Sequence, residues 1–539
     1  MESHPSAKVL LVLIGLIGLF LQSQPDEYDT DVRRVLNQRE RLDETVWARE
    51  VESHRYESVI VTFWDQLRTS SQPLAGFNDI AFSTIRLPER WREQPLENGI
   101  IQHVAIGSQS MSRDEWIEQV VLAITRGDRL VQSEWHHEAF ERTEGVDGQA
   151  HSRVRLELHL ENAVRSVRTI LRGELQIEWM DANDGTPLPR VKNIDATKLV
   201  RLTRSTDDGF RCVATIPASN RWENYFLATR DFDHDGLPEV VFDDQIISVR
   251  QNQFTSRWLV DCQPLRTDTT LPVTSGLIHD LNGDGLDDLV VASRELRPRI
   301  YFGTGQMTFS AEPVRIQAVP PLSGTSTCIA AGDVDLDGDV DLWLTQYKPP
   351  YQDGSMPTPY YDANDGYASY LLLNDGHGEF RDATIPSGLD AKRRRRTYSS
   401  SFWDCDRDGD CDLLVVSDFA GVDLYLNDGR GNFRDATADL FDETSLFGMS
   451  HRIDDFDGDG RLDLFSVGMS STTARRLSLL NLERNDHPAG LFDRLRMGHG
   501  NRLYLARGTT SDQDFFQPSW ADSVARTGWS WGVASFDFD

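Results

Sequence analysis

One nine-residue pattern is written five times across the second half of this chain. DFDHDGLPE begins at Asp231, DLNGDGLDD at Asp280, DVDLDGDVD at Asp333, DCDRDGDCD at Asp404 and DFDGDGRLD at Asp455. Successive starts lie 49, 53, 71 and 51 residues apart, and a further D-F-D stands 82 residues on, at Asp537 to Asp539. Val, Leu, Phe and Trp run on from each loop, residue types that suit strands. Self-similarity at a fixed period points to a repeat architecture. A period near 50 residues holds four short strands and their turns, the size of one propeller blade.

A second element repeats in step with the first. NDGHGEFRDAT, residues 374–384, returns as NDGRGNFRDAT, residues 427–437. Asn-Asp-Gly between apolar runs is hairpin chemistry, because Gly supplies positive φ at the turn. YFGTGQMTF (301–309) and LYLARGTTSDQDFF (503–516) are weaker echoes. Each unit therefore reads strand, acidic loop, strand, hairpin, strand.

Within each loop, side-chain oxygens stand at positions 1, 3, 5 and 9, with Gly at position 6 and the position 7 carbonyl near by. Several oxygens converging on one point suit a hard cation such as Ca²⁺; Mg²⁺ demands a stricter octahedron and keeps more water. Without a cation, crowded carboxylates repel and their pKa values rise. An EF-hand needs Glu at position 12 between two helices. Here position 12 is Phe242, Val291, Leu344, Val415 or Ser466, and the flanks are strand-like. One such loop reads equally well as an acid-rich turn that binds nothing; five in register argue for metal.

These segments resemble the FG-GAP/VCBS repeats of integrin-α-like β-propellers. The loop with its NDG-x-G-x-F hairpin, and WSWGVASFDFD at residues 529–539, is similar to the cartilage-acidic-protein-like group in particular. The resemblance covers roughly residues 208–539. It implies a mainly β fold, a propeller of about seven blades, about five Ca²⁺ ions in the loops, and a role in extracellular binding or adhesion. Carried over, the ligands are Asp231, Asp233, Asp235 and Glu239; Asp280, Asn282, Asp284 and Asp288; Asp333, Asp335, Asp337 and Asp341; Asp404, Asp406, Asp408 and Asp412; and Asp455, Asp457, Asp459 and Asp463. Glu239 is one methylene longer than the Asp elsewhere at position 9, so the first loop is expected to bind differently. Asp537 and Asp539 hold only positions 1 and 3, so no proper site is expected there. A propeller closes last blade on first, so this ending predicts a native product continuing past Asp539.

The charge follows the loops. The chain carries 86 Asp plus Glu against 55 Lys plus Arg, a net −31. The five loops hold 22 acidic residues and two Arg (Arg407 and Arg461), a net −20. The acidity is thus mainly local, and the balance argues against nucleic-acid binding, which needs a basic footprint. At the N-terminus, Lys8 precedes an apolar run from Val9 to Leu21. Its length fits a signal peptide and falls short of a comfortable span, but no A-x-A cleavage site follows. Residues 1–24 therefore read as either a signal peptide or a retained membrane anchor, and the protein as exported: extracellular, periplasmic or at the cell surface. Five cysteines cannot all pair internally. Cys405 and Cys411 are near enough in sequence to pair; Cys212, Cys262 and Cys328 read as core residues.

Residues 25–205 read as a small α+β domain. Apolar residues recur at helical spacing over residues 28–70, and strand-like stretches follow at 129–140, 152–161, 166–180 and 196–204, suggesting an antiparallel sheet of cystatin or NTF2 type. Residues 203–210 are the expected linker.

Other motifs have bland readings beside sharper ones. Arg126-Gly127-Asp128 is an ordinary turn before it is an integrin ligand. His136 and His137 face opposite sides of a strand and cannot easily share a metal. The run from Lys392 to Arg396 reads as internally paired before it reads as a site for anionic glycan. The Tyr-rich stretch 347–361 fits the long 71-residue spacing as an insertion, and insertions of this kind often carry binding. No H-E-x-x-H, G-x-S-x-G, Walker A or Rossmann signature is present. The leading expectation is a non-catalytic binding protein for a protein or glycan ligand at the cell surface. Its rivals are a polysaccharide-active lyase or hydrolase on the same scaffold, and a truncated product without independent activity.

Overall fold

The computed structural model describes residues 37, 41, 44–45, 47–96, 99–143, 148–180, 188–205, 215, 227–232, 234–242, 245–250, 253–258, 273–305, 308–351, 356–480, 490–508 and 514–535. The N-terminal segment 1–24, Asp233, Cys212, Cys262, Asp537 and Asp539 lie outside the described residues, as does most of the expected linker. Among the described residues no helix is long and apolar enough to cross a membrane. The chain divides into two units, residues 1–209 with 475–486, and residues 210–474 with 487–539.

The first unit packs helix α1 (Ala48–Thr69) and helix α2 (Arg113–Thr125) with a nine-stranded sheet. Strands Asp128–Arg142, Ala150–Asn162 and Val167–Met180 are long and antiparallel. The far edge of Val167–Met180 pairs in succession with Val200–Ser205 and Arg190–Asp195. The expectation of an antiparallel sheet needs one correction. Thr84–Leu87 pairs parallel with Arg190–Asp195. These strands are joined by a long route through the hairpins rather than by a tight turn, which is what a parallel pair requires. Residues 196–199, expected in a strand, form a turn before Val200. The core is aromatic: Tyr56 of α1 lies 4.6 Å from Phe140 and 5.1 Å from Trp179, ring centre to ring centre. Segment 475–486 adds Arg476, whose buried guanidinium bonds the Glu50 carboxylate (Nη2–Oε1 2.6 Å), Glu57 (3.0 Å) and the His137 carbonyl (3.2 Å).

The second unit contains five four-stranded antiparallel sheets. Blade one runs Leu227–Arg230, Glu239–Phe242, Gln245–Arg250, Gln253–Trp258. Blade two runs Ser275–His279, Asp288–Ala292, Arg299–Tyr301, Val314–Arg315. Blade three runs Thr325–Gly332, Asp341–Tyr347, Tyr370–Asn374, Phe380–Asp382. Blade four runs Arg396–Trp403, Asp412–Asp418, Gly421–Leu426, Arg434–Asp435. Blade five runs Gly448–Asp454, Asp463–Gly468, Arg502–Arg507, Asp514–Phe516. The arrangement is that of a β-propeller, with five blades among the described residues where about seven were expected. Among the described residues one acidic loop makes one blade, so the five blades follow the five loops.

The second strand of blades two, three and four is buried on both faces, which is why it reads as an unbroken apolar run. Alternate residues go to opposite neighbours. Leu289 and Val291 pack with Val241 and Ile246 of blade one, whereas Val290 and Ala292 pack with Leu342 and Leu372 of blade three. Leu413 and Val415 join blade three, and Leu414 and Val416 join blade five.

Candidate metal centres

Every acidic loop joins the first strand of a blade to the second, and backbone geometry repeats from loop to loop. Positions 4 and 6 both take positive φ. At position 6 the residue is always Gly; at position 4 it is His234 (57°), Gly283 (72°), Leu336 (57°), Arg407 (65°) or Gly458 (75°). The left-handed requirement at position 4 is hidden in the sequence because three loops fill it with a side chain that must tolerate it.

The carboxylates hold this shape themselves. Position 1 accepts backbone N–H groups from the turn: Asp333 from Asp337 (3.2 Å) and Gly338 (3.0 Å), Asp455 from Gly458 and Gly460 (both 2.8 Å). Position 5 accepts from position 7, as Asp337 does from Asp339 (3.0 Å). Position 9 ties the loop to the blade. One oxygen of Asp341 accepts the Val334 N–H (3.0 Å) and the other the Asn374 N–H of the third strand (2.8 Å). Asp288, Asp412 and Asp463 repeat both bonds, to Leu281 and Gly303, Cys405 and Asn427, and Phe456 and Ala506. Glu239, despite its extra methylene, still accepts from Phe232 at 3.1 Å.

Three groups of carboxylates converge. Asp333, Asp335 and Asp341 each offer an oxygen within 4.8 Å of the others; so do Asp404, Asp406 and Asp412, and Asp455, Asp457 and Asp463. These are positions 1, 3 and 9. The position 5 residues Asp337, Asp408 and Asp459 are not in these triads. In the second loop position 3 is Asn282, beside Asp280, Asp284 and Asp288; in the first, Asp233 lies outside the described residues, so only Asp231, Asp235 and Glu239 are placed.

The electrostatics are those of a site short of positive charge. Burial, reinforced by neighbouring carboxylates, pushes Asp341 up to about 7 and Asp406 up to about 6. Asp410, at position 7 of the fourth loop, rises to about 7 for the same reasons. Asp335, Asp288, Asp412 and Asp463 are also raised, burial first. Oδ1 of Asp335 and Oδ1 of Asp404 are buried without a hydrogen-bond partner among the described residues. An all-oxygen donor set with lone pairs to spare fits a hard divalent cation. Such an ion would cancel the repulsion among these side chains.

The Asn of the NDG hairpin has a role the sequence reading missed. Asn374 Nδ2 donates to the Leu281 carbonyl of the preceding blade's loop (2.8 Å) and to Val340 of its own (3.1 Å). Asn427 repeats this one blade on, to Val334 (2.8 Å) and Cys411 (3.1 Å). The clue available was the repetition of the whole NDG-x-G-x-F block, more than a turn alone requires.

Residues of the other motifs find partners within the chain. Lys392 bonds Asp423 (2.7 Å) and Asp435 (2.8 Å), Arg395 bonds Asp423 (3.0 Å), and the fully buried Arg396 grips Asp365 through two nitrogens (3.0 and 2.8 Å). His137 is a core residue bonded to Ser152 Oγ at 2.8 Å, and burial lowers its pKa to about 3. Gly127 makes a turn at φ 90°, and Asp128 accepts from Asn162 (2.6 Å). Cys328, Cys405 and Cys411 form no disulfide. In the Tyr-rich insertion, Tyr347 bonds Asp418 (2.9 Å) and stacks on Tyr398, while Tyr351 is exposed.

A family model described as an FG-GAP-like repeat matches residues 280–344 and 404–466. No curated protein matches the chain. Solved structures that match include a chain from the crystal structure of an active polycomb repressive complex 2 in the basal state. It is 10% identical and aligned over 64% of this chain and 68% of that one, with a TM-score of 0.22, too low to carry an argument. The acidic loops, their blades and the family match agree: the second unit carries FG-GAP-like repeats in a β-propeller arrangement, similar to the integrin-α-like propellers.

Proposed function

We propose that this is an exported calcium-binding propeller protein that mediates extracellular binding or adhesion, akin to the cartilage-acidic-protein-like group, and that it is not an enzyme. Its ligand is a protein or glycan at the cell surface. One observation carries the metal half of the reading: three Asp triads at the same positions of successive loops, with oxygens within 4.8 Å of one another. About five ions are proposed, since the first two loops share the pattern. Calcium holds the loops in register, and the blades present the ligand-binding surface.

The test has two parts. The full chain stripped with EDTA should gain melting temperature when Ca²⁺ is restored, because an ion that binds only the folded state stabilises it by mass action. A melting temperature indifferent to both reagents sinks the metal reading. Glycan arrays and cell-surface pull-downs with and without Ca²⁺ then test ligand binding; reducing ends or unsaturated products released from anionic polysaccharide would replace the binding reading with a catalytic one.

A further inference from the structure

The first unit holds a cavity of about 440 Å³, open to solvent on one side, between helix α1 and the sheet. Interiors pack tightly enough that voids larger than a water are few, and 440 Å³ falls within the range of about 300 to 1,000 Å³ typical of small-molecule sites. The walls are apolar side chains, Phe63, Trp116, Leu171, Leu175, Ile177 and Val191 among them. The polar liners Thr62, Gln66, Asp79 and Arg190 are all exposed to solvent, which places them at the mouth.

One lining side chain breaks the pattern. Trp135 lines the cavity, is 8% exposed, and its indole Nε1 has no hydrogen-bond partner among the described residues. Two other lining indoles are satisfied, Trp179 by Ser152 Oγ (2.9 Å) and Trp116 by the Phe77 carbonyl (3.4 Å). A buried N–H without an acceptor is costly. An apolar cavity of this size, with a buried N–H lacking an acceptor on one of its lining side chains, suits an apolar molecule that brings one oxygen.

We propose that this cavity binds a small apolar molecule of acyl-chain type, its hydrocarbon against the α1–sheet walls and a carboxyl or carbonyl oxygen accepting from Trp135 Nε1. This site is independent of the acidic loops and of the metal reading.

The experiment uses 11-bromoundecanoic acid, whose bromine quenches nearby tryptophan. Four of the chain's 13 Trp (Trp91, Trp116, Trp135 and Trp179) line the cavity. Titration of the full chain should give saturable quenching that plateaus at a minor part of the total emission. Native mass spectrometry should show about one bound molecule. Leu171→Phe with Val191→Phe fills the cavity and should abolish quenching while leaving the melting temperature unchanged or higher. Trp135→Phe removes the donor and should weaken binding about two- to tenfold, the worth of one hydrogen bond. Quenching that never saturates, or saturable quenching unchanged in the filled variant, overturns the proposal. If the filled variant fails to fold, Trp135→Phe decides, and unaltered affinity overturns it.

Discussion

Replacing Asn374 by Ala deletes one buried amide group and strands two carbonyls in different blades. The lost bonds run to Leu281 O at 2.8 Å and Val340 O at 3.1 Å, and Asn374 is only 7% exposed. Leaving a buried polar group unpaired costs about 1 to 3 kcal/mol. Partial rehydration at the loop makes the sum for two about 2 to 4 kcal/mol. At tenfold per 1.4 kcal/mol, local opening becomes roughly 30- to 700-fold more frequent. Hydrogen exchange read by mass spectrometry on the full chain in Ca²⁺ reports this. The informative peptide covers the second loop, because Leu281 lies 93 residues before the substitution. Its protection should fall alongside that of the third loop. Asn374→Asp sharpens the test: it keeps the shape and replaces the donor by a carboxylate facing two carbonyls, so it should cost more than Ala. If the second loop keeps its protection, or Asp is milder than Ala, the bridge between blades is not what holds this loop.

Further predictions follow from the same geometry. In EDTA, stability should fall as pH rises from about 4 to 7: the raised Asp341 (about 7) and Asp406 (about 6) hold more protons folded than unfolded across that window. Melting curves should show this slope, and saturating Ca²⁺, which needs the deprotonated carboxylates, should abolish it. Arg476→Met should lower the melting temperature of the first unit by leaving the buried Glu50 carboxylate with only His54 (2.9 Å) beside it, and Glu50→Gln in the same chain should recover part of the loss. Gly338→Ala and Gly409→Ala meet no atom within 4 Å but sit at φ 95° and 100°. Each should cost about 1 to 2 kcal/mol in chemical denaturation through backbone strain alone. Cys405, buried with its thiol pKa raised, should resist alkylation in the native protein and react on unfolding.

The blades were legible because period and pattern are local. Each loop announces its turn by alternating carboxylates and Gly, and the second strands of blades two to four announce double burial by apolar runs such as residues 289–292. What stayed hidden depends on partners far away in sequence. Position 9 reads as one more metal ligand, yet in four loops both of its oxygens already hold backbone N–H groups, one of them 15 to 43 residues on. Leu336 gives no sign of a left-handed backbone. Segment 475–486 carries no mark that Arg476 pairs with Glu50, 426 residues earlier. In the first unit the long strands were visible in their apolar alternation, whereas Thr84–Leu87 is too short to show a period, and its parallel neighbour arrives more than 100 residues later.

Alternation along the second strands has a consequence for how such a molecule melts and grows. Leu289 and Val290 are adjacent in sequence but belong to different hydrophobic clusters. The oil lies between blades rather than within them, so a blade excised alone has no interior to retain. Stability in such an array behaves as a sum of neighbour terms along a line. Enlarging or emptying one cluster then loosens two blades at once and leaves more distant ones nearly untouched. A duplicated repeat inserted beside its parent inherits both halves of a matching interface, which makes tandem copying a route by which repeats of this kind lengthen.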